Sequence, residues 1–318
     1  MSTFLPPALV ELFNETGGAG LVGCLLAMGV YGITTSQTYY YFGEYSEDKR
    51  WLKLFVSALW VLNTLHSVLI FHLIYHYLIQ SAFNPFQLIQ NIWSLAVSMI
   101  VHLIVAGLVM TYFLNVIFQC SSPKFRWWLA TLNGFAVLVF IGFGIDTVIV
   151  MFQAPTLLDL PNYTKTAFLP LATSQAGSDS MIAATLCCVL FNKRTGFRRT
   201  NSLLYTLMIY AINRCLLTAG TTMVALLMIV FKPGSMMYIG PQFVASGLYT
   251  NALMATLNSR HRISTGSRDS TSGINSVHLS NLGPDASGPR EGNPTTPMRH
   301  HGGHSVNVPD LKPEWNIV

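Results

Sequence analysis

The sequence predicts an all-α fold, a bundle of seven transmembrane helices followed by a disordered C-terminal tail. Three observations predict it. Of 318 residues, 51% are apolar and only 10% charged, with a mean hydropathy of +0.45, where a soluble chain carries about a quarter charged residues. The apolar stretches recur in runs of more than about 18 residues, separated by short polar loops. Lysine and arginine gather in alternate loops, as they do where cationic residues are retained on the cytoplasmic side of a membrane.

The runs place spans at 17–42, 52–79, 92–118, 127–152, 170–191, 203–231 and 236–257, each long enough for ~30 Å of hydrocarbon. Backbone amides in lipid must be bonded within their own segment, so these runs are expected to be helices. Residues 1–16 form a short extracytoplasmic segment in this reading. No cleavable signal is expected, since Met1–Gly18 lacks a basic region and contains Glu11 and Glu15. The fifth span is the least apolar. Its first half, LATSQAGSDS, is expected to face other helices or a wet cavity. From Asn258 to Val318, Ser, Gly, Pro, Asn and His dominate, and this cytoplasmic tail is read as disordered, because it buries too little apolar surface to offset the entropy of ordering.

Orientation follows from the cations. One side carries Lys49, Arg50, Lys53, Lys124, Arg126, Lys193, Arg194, Arg198, Arg199, Arg260, Arg262 and Arg268, and the other only Lys165 and Lys232. Twelve against two puts the N-terminus outside and the tail in the cytoplasm. The two glycosylation sequons, at Asn14 and Asn162, fall on the outer side, and Asn14 stands very close to the first span. Aromatic clusters at Tyr39–Phe42, Trp51 and Trp127–Trp128 mark the cytoplasmic interface. The five cysteines, Cys24, Cys120, Cys187, Cys188 and Cys215, lie in or beside apolar runs and read as packing residues.

Ionisable groups within spans are costly, so Asp146, Asp179 and Arg214 are the first candidates for a functional role. At ~1.5 Å per residue, Asp179 lies ~18 Å and Arg214 ~17 Å from the cytoplasmic ends of their spans, and Asp146 ~28 Å from the end of its own. Asp179 and Arg214 are therefore expected partners. Two readings apply, a packing ion pair, which is preferred, and a charged element of a ligand or ion pathway. His72 and His76 stand at i and i+4 in HLIYH, a spacing that can supply two metal ligands, with His66 and His102 as further candidates. His102 lies level with His66 rather than His76. Seven-helix hydrolases of the ceramidase and adiponectin-receptor type place an HxxxH pair in the last span, and the last span here has no histidine. Polar packing is the preferred reading of these four residues. No catalytic residue, metal or cofactor is expected. The last span also lacks a lysine for a retinal Schiff base and an NPxxY pattern, and the third ends without an acidic-arginine-aromatic triplet. The close Gly and Ala residues of GGAGLVGCLLAMGVYG read as helix-packing positions.

Three segments, Gly29–Tyr77, Arg194–Gly220 and Ser246–Arg260, together resemble the domain-of-unknown-function 6534 family, common in mushroom-forming (basidiomycete) fungi. The resemblance implies a multi-pass membrane protein and supplies no substrate or catalytic residue. Gln37, Tyr41, Asp48, Lys53, His66, Arg194, Thr195, Thr200, Tyr249, Asn251, Leu257 and Asn258 match positions that look characteristic of the family. The sixth span departs from its pattern by placing Arg214 and Cys215 after Asn213. Gln37 and Tyr41 share a helix face expected to meet Lys53 or the RTGFRRT loop in a polar cytoplasmic cluster.

The leading functional expectation is a receptor-like or sensory protein that holds a small ligand in the bundle and signals to a cytoplasmic partner. The alternative is a transporter or channel with a polar path near Asp179 and Arg214, and a third is a metal-dependent hydrolase built on the four histidines. The lipid bilayer is the one general partner, and nucleic acid is not expected.

Overall fold

The structure, a computed structural model, describes residues 7–80, 90–192, 198–232 and 234–274. Among them lie seven long α-helices: α1 (Pro7–Glu44), α2 (Arg50–Leu78), α3 (Trp93–Cys120), α4 (Arg126–Gln153), α5 (Leu169–Asn192), α6 (Arg198–Phe231) and α7 (Ile239–Ile274). No strand occurs among the described residues, only an isolated antiparallel bridge between Gln90 and Thr156. The bundle belongs to a compact unit ending at Ser264. A second unit, Thr265–Ile317, is described only where α7 continues to Ile274. Helix therefore extends past residue 258, where the sequence reading places the onset of disorder. The rest of that tail lies outside the described residues.

Side-chain register gives each helix a direction. Along α1 and α2, Tyr31 meets Thr64 and Thr35 meets Trp60. Phe55 stacks on Tyr112 and His72 lies against Trp93 between α2 and α3. Phe118 meets Trp127 across α3 and α4, and Asn133 meets Thr185 while Thr147 meets the Ala167 carbonyl across α4 and the approach to α5. Each of these neighbouring pairs is antiparallel. Lys232, just beyond α6, pairs with Glu15 near the start of α1, so α6 ends where α1, α3, α5 and α7 begin. We call this the upper end.

The helices α1 and α7 are parallel, since Gly23 approaches Gly240, Val30 approaches Gly247, and Asn258 donates to the Gln37 carbonyl. Glycine is required at the first contact. A Cβ built on Gly23 would fall 2.6 Å from the Gly240 Cα, and one on Gly240 would fall 2.5 Å from the Ala19 carbonyl oxygen. Absent side chains let the two backbones touch, as in small-residue seams between membrane helices.

Polar groups at helix ends are satisfied locally. Asn91, ahead of α3, donates to the Met151 and Ala154 carbonyls at the end of α4 (2.5 and 3.0 Å), answering acceptors that the helix terminus leaves open. Thr156 and Asp159 form a capping box that starts a 3-10 turn, Leu157–Tyr163, and a π turn, Thr164–Phe168, leads into α5. Gly234, at φ 95°, makes the turn before α7.

The polarity of the bundle is reversed relative to a water-soluble protein. Leu54, Phe135, Leu138 and Leu216 are each more than 60% exposed, while Asn63, His102, Asn133, Gln175, Asp179 and Arg214 are buried. Five helical stretches, Asn14–Glu44, Arg50–Leu78, Trp93–Cys120, Arg126–Gln153 and Met208–Phe231, are long and apolar enough to cross a membrane, as expected of a multi-pass membrane protein. α5 and α7 fall outside that group because their polar residues lower the mean. One residue of α5's polar half does not face other helices or a cavity as the sequence reading requires. Thr173 is exposed, and its hydroxyl donates to the carbonyl four residues back, at Leu169, which removes the penalty that lipid would impose, whereas Ser180, though exposed, meets Cys215 of α6 at 3.7 Å.

Candidate functional site in the bundle core

Asp179 on α5 and Arg214 on α6 meet at the centre of the bundle. Arg214 Nη2 lies 3.1 Å from Asp179 Oδ1, and both side chains are 1% exposed. Tyr249 of α7 donates its hydroxyl to Asp179 Oδ2 in a very short hydrogen bond. Gln175, one turn before Asp179, donates to the Tyr249 oxygen at 3.2 Å. The guanidinium lies over the Phe113 ring of α3, 4.5 Å from its centroid, with the Tyr249 ring at 5.9 Å. One charged pair thus ties α5 to α6, and its aromatic and hydrogen-bonded neighbours add α3 and α7.

Satisfaction is incomplete on the cationic side. Arg214 Nε and Nη1 are buried without a hydrogen-bond partner among the described residues, so ring faces stand in for acceptors. A guanidinium held this way cannot lose its charge. While Arg214 is present, its partner carboxylate is therefore needed to offset the buried charge.

Above this pair, toward the upper end, lies a cavity of about 50 Å³ bordered by α2, α3, α4, α5, α6 and α7. Its polar lining is His66, Ser98, His102, Tyr238 and Gln242, set among methionine, leucine, isoleucine and phenylalanine side chains. At ~10–15 Å³ per water-sized probe, the space accommodates about three or four waters or a small organic molecule. Gln242 Nε2 is buried without a hydrogen-bond partner among the described residues, whereas the buried His102 ring faces the Gln175 side chain and the Tyr238 hydroxyl faces Thr164. The His102 ring packs edge-on against Tyr249, with centroids 6.1 Å apart. The cavity wall and the charged pair consequently share one aromatic side chain.

The four histidines do not gather. His66 and His102 line the cavity, whereas His72 is exposed against Trp93 and His76 sits a turn further on beside Tyr77. Among the described residues no three His, Cys, Asp or Glu side chains converge as metal ligands would. Asp146 is exposed on the outer face of α4, apart from the Asp179 pair. Asn14, within α1, and Asn162, in the 3-10 turn, are both exposed at the upper end. The cysteines are all free thiols.

Several of the family-like polar positions meet at the lower end. Tyr41 donates to Asp48 Oδ2 at 2.9 Å, Tyr45 stacks on Tyr41 and donates to the Asn258 carbonyl, and Asn258 Nδ2 donates to the Gln37 carbonyl. Lys53 turns to the Ser46 carbonyl instead of Tyr41, so the partner of Tyr41 is Asp48. Arg194 and Thr195, with most of the RTGFRRT loop, lie outside the described residues. Thr200 is described only as part of the α6 backbone, and Asn251 is half-buried on α7. Gln175, in the half of α5 expected to face inward, is buried, whereas sequence reasoning overlooked Gln242 and Phe113 as components of the core. A glutamine inside a membrane-length segment was a usable signal, whereas Phe113 carries none that separates it from other apolar residues.

No curated protein and no solved structure matches the chain. The stretch from Gln175 to Arg262 matches the model of a family of unknown function (DUF6534). Of the three segments on which the resemblance rests, those in α6 and α7 fall inside that stretch and the one across α1 and α2 falls outside it. The matched part, under a third of the chain, holds Gln175, Asp179, Arg214, Tyr249 and Gln242, so the charged pair and its α7 partner lie in the portion similar to that family.

Proposed function

We propose that this chain is a seven-pass, receptor-like membrane protein that takes a small, neutral, largely apolar ligand in the cavity above the Asp179–Arg214 pair. The observation that carries the reading is a cavity whose walls are apolar save for His66, Ser98, His102, Tyr238 and Gln242, with Gln242 Nε2 left without a hydrogen-bond partner among the described residues. Such a lining suits a ligand with one hydroxyl or carbonyl group on an apolar body, since unmet polar atoms are costly until a partner arrives. Occupancy would bear on Tyr249 through His102, and so on the contacts that tie α5, α6 and α7.

Seven passes and an outward N-terminus are part of the same proposal. They are supported by the alternating helix directions, and by Lys49, Arg50, Lys53, Lys124 and Arg126 standing at the lower end against Lys165 and Lys232 at the upper. Exposed Tyr39, Trp51, Trp127 and Trp128 at the lower end fit an aromatic belt. A cytoplasmic partner would then meet the lower end.

Single cysteines placed at Ser98, Gln242 and Ala172 in a cysteine-free background, labelled by a membrane-impermeant thiol reagent, test the reading. Access from the upper side alone supports it. Labelling of one position from both sides would instead indicate alternating access and a transporter, and no labelling at any of the three would remove the cavity as a ligand site.

A further inference from the structure

A second concavity lies on the outer surface of the bundle, away from the core cavity. It is a groove of about 470 Å³ between α2, α3 and α4, with Trp51, Phe55, Thr111, Asn115, Phe118 and Ala130 among its walls. From Leu108 to Phe118 it follows α3 for ten residues, or ~15 Å at 1.5 Å per residue. That is half of a ~30 Å hydrocarbon core, the depth of one leaflet.

The groove's chemistry changes along its length. Its deep part is apolar. Nearer the lower end Asn115 lines it, with Oδ1 accepting from Gln119 Nε2, which leaves the Asn115 amide hydrogens as donors. The Arg126 guanidinium lies 4.9 Å from the centroid of the Phe118 ring that lines the groove, and Arg126 Nε is buried without a hydrogen-bond partner among the described residues. Ala130, one turn along from Arg126, forms the floor on α4. Exposed Arg50 and Lys124 flank the mouth in the chain, beside Trp51 and Arg126.

We propose that this groove is a binding site for one anionic phospholipid, with an acyl chain along Phe55, Leu108 and Ala130, ester carbonyls at Asn115, and the anionic headgroup on Arg126. Charge decides the class of lipid. Arg126 stands on the ring of Phe118, which lines the groove near its lower end, and a planar guanidinium pre-set on an aromatic ring presents its donors to a phosphate or carboxylate. A sterol would use the apolar trough and leave Arg126 unanswered. The site is independent of the core cavity and of the receptor reading.

Native mass spectrometry of the full chain in detergent, titrated with phosphatidylserine, phosphatidylcholine of the same acyl chains, or a sterol, is the test. One phosphatidylserine should be retained per chain, with affinity about fivefold or more above phosphatidylcholine, the factor for one cation near an anionic surface. Arg126→Gln should erase the preference while leaving binding of both lipids, and Ala130→Phe, which fills the floor, should remove both. Leu138→Phe, on an exposed part of α4 outside the groove, should change neither. Equal retention of the two phospholipids by the unaltered chain, mole-for-mole displacement by the sterol, or an unaltered preference in Arg126→Gln would each overturn the proposal. If Ala130→Phe does not fold, Arg126→Gln alone decides it.

Discussion

Removing either member of the Asp179–Arg214 pair should destabilise the bundle strongly, and the two removals should be unequal. Breaking a buried ion pair costs about 3–5 kcal/mol, because the remaining charge is left uncompensated. In Arg214→Met the abandoned carboxyl can shed its charge by taking a proton and still accept from Tyr249. That substitution belongs at the low end of the range. In Asp179→Leu the guanidinium keeps its charge, with Nε and Nη1 already unpartnered and only the Phe113 and Tyr249 rings nearby, so the high end applies. On the scale of about 2–4 °C per kcal/mol for a domain of this size, the melting temperature should fall by roughly 6–12 °C for Arg214→Met and 10–20 °C for Asp179→Leu. The double substitution Asp179→Leu with Arg214→Met should recover most of the loss, since well-packed apolar residues replace such pairs at little cost. Thermal melting of the full chain in one detergent, in a background where Cys24, the one buried cysteine, is the sole thiol, followed by a thiol-reactive dye as that residue opens, reads all four proteins. Additive losses in the double substitution, or equal losses in the two single ones, would refute this account of the pair.

Other features give sharper local tests. Gly23→Ala should cost about 1–3 kcal/mol because its methyl meets the α7 backbone, whereas Gly29→Ala, where a Cβ meets nothing within 4 Å, should be neutral or stabilise by up to ~1 kcal/mol; parallel melts compare them. Asn91→Leu removes both donors to the α4 terminus and should cost about 1–3 kcal/mol, with faster hydrogen exchange confined to the end of α4 and the following turn. In cells that glycosylate, Asn162→Gln should abolish an endoglycosidase-sensitive mobility shift; a shift that persists would move the modification to Asn14, and no shift in the unaltered chain would refute an outward upper end.

Periodicity and charge made the helices legible, because a membrane-length apolar run needs no tertiary context to be read. Depth counting also brought Asp179 and Arg214 to one level, and the structure joins them. Hydropathy averages over a helix and says nothing about which side faces in. That is why Thr173 is expected inside, when a hydroxyl bonded to its own backbone tolerates the outside. The role of Tyr249 was hidden for a related reason, since its hydroxyl matters only through two side chains about seventy residues away. The run of α7 past residue 258 was missed because apolar content, the signal used, ends before the helix does.

The glycine contact between α1 and α7 sets a geometry for motion. A rigid tilt of α7 about Gly240 has its fulcrum near the upper end, with Tyr249 nine residues below it and Asn258 eighteen. These are lever arms of ~13 and ~27 Å. Any sideways shift that a changed fit at His102 imparts to Tyr249 is therefore about doubled at Asn258, where the hydrogen bonds to Gln37 and Tyr45 must stretch or break.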